Sequence, residues 1–206
     1  MEHLEEQIRQ LVKEALKEIK ANSIQEHSNS KEGIFPTIDQ AVTAAEEAFH
    51  ELNKLSLESR KEVIANIRKI SLENVTMLSK MASEETGMGR WEDKIIKNKL
   101  AIRKTPGVED VVPEAFSDDH GLALVEHAPY GVIGSISPST NPTASIISNC
   151  IGMIAAGNSV VFNTHPAAKK VSVLLISLLN KAIVEAGGPK NLITSVKLLH
   201  WNQHKR

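Results

Sequence analysis

Apolar residues fall on one stripe at the start of the chain. Leu4, Ile8, Leu11, Val12, Ala15, Leu16 and Ile19 recur at spacings of three and four. That period predicts an amphipathic helix over residues 1–20, and its acidic start and lysine-rich end suit the helix dipole. The polar stretch "NSIQEHSNSKEG" follows and predicts a linker over residues 21–36. A short amphipathic helix on a tether suits a partner's groove better than its own core, so residues 1–20 read as a docking helix. The plainer alternative is a terminal helix packed on its own domain. Glu and Lys mix on its polar face, which argues against a membrane surface.

The next stretch keeps the helical period. Thr37 after Pro36, with Gln40 three residues on, forms a capping-box pattern for a helix running to about Leu52. Ser56 then caps a long helical pattern with Val63, Ile64, Ile67, Ile70, Leu78 and Met81 on one face, stopped at Gly87. "RWEDKIIKNKLAIRKT" predicts a further helix ending before Pro106.

From Gly121 the period changes. "GLALVEHAPYGVIGSIS" contains two β-rich runs split by Pro129 and Gly131. A helix from Thr143 to Ala156 follows, then the apolar run "SVVFNT", a helix ended by Gly187 and Gly188, and "NLITSV". Strands alternating with helices of this length predict a parallel sheet with right-handed crossovers. The fold class is therefore α/β: a helical N-terminal region followed by half of a doubly wound, parallel nucleotide-binding sheet. In such sheets ligands lie at the carboxyl ends of the strands, here Ser137–Asn141 and Asn163–Pro166.

Composition narrows the partners. A net charge of -1 and 3% aromatic residues offer neither a basic field nor stacking platforms for nucleic acid. No apolar run approaches the ~20 residues that span a bilayer. The single cysteine cannot form an internal disulfide and suits a reducing, cytoplasmic setting. No metal-ligand cluster stands out. No G-x-G-x-x-G follows the first parallel strand, because the glycines of "GVIGSIS" lie before or inside it.

Cys150 lies beside Asn141 and His165 in sequence and so invites a thiol-catalysis reading. Its helical phase argues otherwise. Ile146, Cys150 and Ile154 are four apart on the apolar face of the crossover helix. A thiol buried there acts as a small hydrophobe with a raised pKa.

Three stretches carry a family likeness: "APYGVIGSISPSTNPT", "IGMIAAGNSVVFNTHPAAKK" and "EETGMGRWEDKIIKNK". Over Gly33 to Val196 the chain resembles CoA-acylating aldehyde dehydrogenases, above all the acetaldehyde and propionaldehyde dehydrogenases of bacterial microcompartments. The resemblance implies NAD as cofactor, coenzyme A as co-substrate and a short aldehyde as substrate. It also implies homo-oligomers, and a microcompartment lumen reached through shell or cargo contacts of residues 1–20. In the family a cysteine thiolate attacks the aldehyde, hydride passes to the nicotinamide, and CoA takes the acyl group.

By the same resemblance, Asn141 is the asparagine that donates to the oxyanion. The plain reading of Asn141 is an N-cap ahead of Pro142, and both roles are compatible. Ser137, Pro138, Ser139 and Thr140 match the loop under the cofactor, where the plain reading is a strand-to-helix turn. Asn163 and His165 match the end of the second strand near the adenosine ribose. Many relatives carry lysine at the position of Asn163.

The family's nucleophile lies downstream of this region, and no position here matches it. Residues 37–196 thus correspond to a partial NAD-binding domain. Residues 197–206, "KLLHWNQHKR" after Val196, resemble nothing in the family. The expectation is a truncated, inactive chain whose last strand-helix units leave a parallel sheet with an uncovered edge, with a targeted non-catalytic fragment as the alternative.

Overall fold

The structure is a computed structural model that describes residues 32–197. The docking helix predicted at residues 1–20 and all but the first residue of the predicted 197–206 tail lie outside the described residues.

A four-stranded parallel sheet, in the order β1-β6-β5-β4, forms the centre. Its strands are β1 (Ile34–Phe35), β4 (Val132–Ser137), β5 (Ser159–Thr164) and β6 (Ile193–Val196). The expected alternation is present, with α5 (Pro142–Ala155) joining β4 to β5 and α6 (Lys169–Glu185) joining β5 to β6. The first of the two predicted β-rich runs becomes β3 (Gly121–Val125), which pairs in a separate antiparallel hairpin with β2 (Glu114–Asp118), a strand the sequence reading did not predict. Every residue of this hairpin is exposed.

Side-chain alternation divides the sheet into two faces. Val160, Phe162 and Ile193 face the large core, where they meet Ile146, Ile147, Ile151, Leu175 and Leu179 of α5 and α6. Val161 and Val196 face the other way and are covered by Ala41 and Ala45 of α1 (Ile38–Leu52). The small side chains of α1 bring its backbone close to the sheet. Outside α5 and α6 pack α2 (Leu57–Glu73), α3 (Val75–Thr86) and α4 (Trp91–Lys104). Two arginines of α2 satisfy the last carbonyls of other helices, where cations also complement the dipole. Arg60 donates to Ala155 O of α5 at 3.1 Å, and Arg68 to Ile102 O and Thr105 O beside the end of α4.

The predicted caps form. Thr37 and Ser56 accept from the backbone N–H of Gln40 and Ser59, at 3.3 and 3.1 Å. Gly87 ends α3 in the left-handed region at φ 65. The long helix predicted from Ser56 to Gly87 instead breaks at Asn74, with φ -99 and ψ 3. The Asn74 side chain donates to Ile70 O at 2.9 Å, a local bond that competes with helix continuation. The apolar stripe runs through the break and hides it from a periodicity reading.

The linker predicted over residues 21–36 also needs correction at its end. Ile34 and Phe35 pair in parallel with Ser195 and Val196. Ser195 N donates to Gly33 O at 2.8 Å, and Lys197 N to Phe35 O at 2.7 Å. β6 is therefore partnered on both sides. Among the described residues the outer side of β4 has no strand partner.

Gly33 makes this pairing possible. It adopts φ +79, and a Cβ there would collide with Asn180 Nδ2 and sit 2.6 Å from Ile193 O. Gly33→Ala is expected to cost about 1–3 kcal/mol from backbone strain and collision. Urea unfolding measures this loss. A neutral result would return residues 32–36 to the linker.

Candidate functional site

In-register pairing of β4 with β5 assembles the site. Ile136 lies opposite Asn163, and Ser137 opposite Thr164. The two loops predicted to bind ligand, Ser137–Asn141 and Asn163–Pro166, therefore emerge side by side from the same end of the sheet.

The side chains there do not all face one way. On the α1 face, α1 reaches as far as Val132 and Val161. Beyond it, Gly134, Ile136 and Asn163 are uncovered, and Ile136 is 81% exposed. These three residues form an open shelf of apolar and amide character. Ser137 points to the opposite face and is 1% exposed, so its side chain cannot join a ligand on the shelf. Pro138 and Thr140 are exposed and Ser139 is half-buried, at the end of the shelf. His165 is exposed, but its Nδ1 accepts from Ala167 N at 3.1 Å and caps the short turn Pro166–Ala168. Among the described residues, Nε2 makes no hydrogen bond.

Asn141 precedes α5 with Pro142 at the first helical position, as expected, but its side chain does not cap the helix. Its Oδ1 accepts instead from Lys97 Nζ at 3.1 Å. Among the described residues, Nδ2 has no acceptor. The amide is therefore held by its oxygen, with its donor end free.

Lys97 belongs to a set on α4 that sequence reasoning passed over. Lys94, Lys97 and Asn98 lie at helical spacings of three and four, on the face turned to α5. Lys94 is only 6% exposed and donates to Thr140 O at 2.8 Å. Burial, and secondarily the charge of Lys97, lowers its pKa. Asn98 is fully enclosed. It donates to Ser79 Oγ of α3 and accepts from Thr143 Oγ1 of α5, each at 2.9 Å. Ser79 in turn donates to Val75 O at 2.7 Å. A continuous buried hydrogen-bond chain thus fixes the first turn of α5 to α4 and α3.

Glu85, at the end of α3, was also missed. Its carboxylate accepts from Lys170 N at 2.6 Å and Val171 N at 2.8 Å, capping α6 from a distant element. A side-chain anion already occupies the α6 N-terminus, so a ligand phosphate is not held there. All four residues lie in "EETGMGRWEDKIIKNK", whose polar residues at i, i+3 and i+4 were the available signal.

A shallow groove of about 550 Å³ runs between α4 and α5, lined by Lys97, Leu100, Asn141, Ser145 and Asn149 among others. Cys150 lies on the buried side of α5 at 0% exposure. Burial alone pushes its thiol far above the usual range. Among the described residues no group of three or more His, Cys, Asp or Glu is placed to hold a metal ion, and no helix is long and apolar enough to cross a membrane.

The sequence profile of the aldehyde dehydrogenase family matches residues 13–198. The acetaldehyde dehydrogenase (acetylating) EutE of Escherichia coli is 46% identical over 192 residues, covering 93% of this chain and 41% of that protein. The crystal structure of Rhodopseudomonas palustris propionaldehyde dehydrogenase with bound propionyl-CoA superposes with a TM-score of 0.79 at 50% identity. It covers 81% of this chain and 37% of that one. A propionaldehyde dehydrogenase from the Clostridium phytofermentans fucose utilisation bacterial microcompartment gives a TM-score of 0.78 at 49% identity, covering 81% of this chain and 38% of that one. The chain thus spans about two fifths of the length of these relatives.

The buried thiol gives a direct check. Cys150 is expected to resist iodoacetamide in the folded chain and to react on unfolding. Its folded pKa is raised, so above about pH 8.5 the unfolded chain releases a proton that the folded one retains. Stability should then fall as pH rises through that point. Mass spectrometry of alkylated protein and pH-dependent urea unfolding measure both effects. Rapid native alkylation would refute the assignment.

Proposed function

The chain belongs to the aldehyde dehydrogenase family, and we propose that it carries the nucleotide-binding and oxyanion part of a CoA-acylating dehydrogenase for acetaldehyde or propionaldehyde. The observation that carries this reading is the orientation of Asn141. Among the described residues its donor end is free at the carboxyl end of β4, directly ahead of α5, while the Lys97 ammonium holds its oxygen end. That amide donor, directly ahead of the N-terminus of α5, would meet an aldehyde oxygen as it gains negative charge under thiolate attack. The aldehyde's hydrocarbon tail would lie in the groove between α4 and α5, against Leu100 and Ser145.

The shelf suits a flat, partly apolar cofactor such as NAD. Gly134 leaves room, since a Cβ there would meet nothing within 4 Å. Ile136 offers an apolar floor, and Asn163 with the free Nε2 of His165 offers polar contacts to a ribose. When bound, NAD supplies the hydride acceptor. Ser139 and Thr140 would border the cofactor, while Ser137 would support the loop from below. CoA enters this reading through the propionyl-CoA complex of the R. palustris relative.

The chain has one cysteine, and it is buried. By itself the chain therefore lacks a thiolate for the attack, and no turnover is expected from it. Homo-oligomers and residence in a microcompartment extend the same reading from the relatives.

NMR titration with NAD tests the proposal. Resonances of Ile136, Asn163 and His165 should shift saturably, and Asn163→Trp should abolish the shifts. Addition of CoA and propionaldehyde should yield no NADH. Shifts confined to other residues would remove the shelf reading. Turnover lost on Cys150→Ala would overturn the assignment of that thiol.

A further inference from the structure

We infer that Lys97 is a positioning residue that sets which end of the Asn141 amide faces the site. An ammonium group only donates, so the amide atom 3.1 Å away is the oxygen. The opposite orientation would bring two donors together.

The side chain also has a competing option. An asparagine directly ahead of a helix ordinarily turns its oxygen onto the second or third N–H of that helix. Pro142 has no N–H, but those of Thr143 and Ala144 lie within the first turn and are open to a cap. Asn141 does not use them. Its backbone, at φ -138 and ψ 56, lies outside the extended geometry usual for a cap. Lys94 contributes by drawing the preceding carbonyl, Thr140 O, to 2.8 Å. Asn98 keeps both lysines in place by tying α4 to Thr143. The lysine pair thus takes the oxygen away from the helix and leaves Nδ2 to donate outward. The consequence for catalysis rests on the reading of Asn141 as an oxyanion donor, whereas the orientation does not.

Crystal structures of wild type, Lys97→Met and Lys97→Arg test the inference. Lys97→Met should rotate Asn141, so that Oδ1 caps the N–H of Thr143 or Ala144. Lys97→Arg should retain the wild-type rotamer. Lys97 is exposed, so the melting temperature of Lys97→Met should stay near that of wild type. An unchanged Asn141 rotamer in Lys97→Met would overturn the inference, as would rotation in both variants. Should Lys97→Met fail to fold, Asn141→Ala gives the reciprocal readout. The Lys97 ammonium protons should then exchange with water several-fold faster than in wild type, and unchanged exchange would overturn the inference. The NAD titration is independent of these results, so either reading can fail alone.

Discussion

A single buried amide fixes the geometry on which the site depends. Asn98 is buried between α3, α4 and α5, and two side-chain hydroxyls satisfy it. An unpaired amide there would cost about 1–3 kcal/mol, so the three helices pack only where these bonds close. That closure places the start of α5 against α4. Lys94 and Lys97, at spacings of four and one from Asn98, are then within reach of Thr140 and Asn141. The loop after β4 is held by its backbone and by its last side chain together.

The two crossover helices are treated differently at their N-termini. The terminus of α6 is closed by Glu85, which neutralises the dipole and satisfies two orphan N–H groups. The terminus of α5 has no such anion. Asn141 precedes it without capping it, its amide oxygen being held by Lys97 instead. The sheet adds a directional element. Strand alternation sends Asn163 and Ile136 to one face and Ser137 and Thr164 to the other, which separates exposed side chains from buried ones.

Much of this fold is legible in the sequence because it follows from periodicity and punctuation. The caps at Thr37 and Ser56, the stop at Gly87 and the alternation of β4, α5, β5, α6 and β6 each have a local signature. The burial of Cys150 follows from its four-residue spacing to Ile146 and Ile154. The break at Asn74 was hidden because a side-chain bond to Ile70 O interrupts the helix without disturbing its apolar stripe. Strand β1 escaped notice because two residues carry no period, and their partners lie some 160 positions away. At the site, Asn141 was legible by motif, yet its orientation was not. That depends on Lys97, which reads in sequence as one more charge on a solvated helix. Ser137 ends β4, and the burial of its side chain becomes clear only once the phase of the strand is set by α1 covering Val132.

The dependence of the site loop on Asn98 is open to hydrogen–deuterium exchange of the Asn98→Ala chain. Amides of residues 139–145 should lose protection by about tenfold or more, matching the loss of ~1.4 kcal/mol or more from a broken buried network. Amides of β5 and β6 should keep theirs. Unchanged protection at 139–145, or a uniform loss across the sheet, would contradict the account.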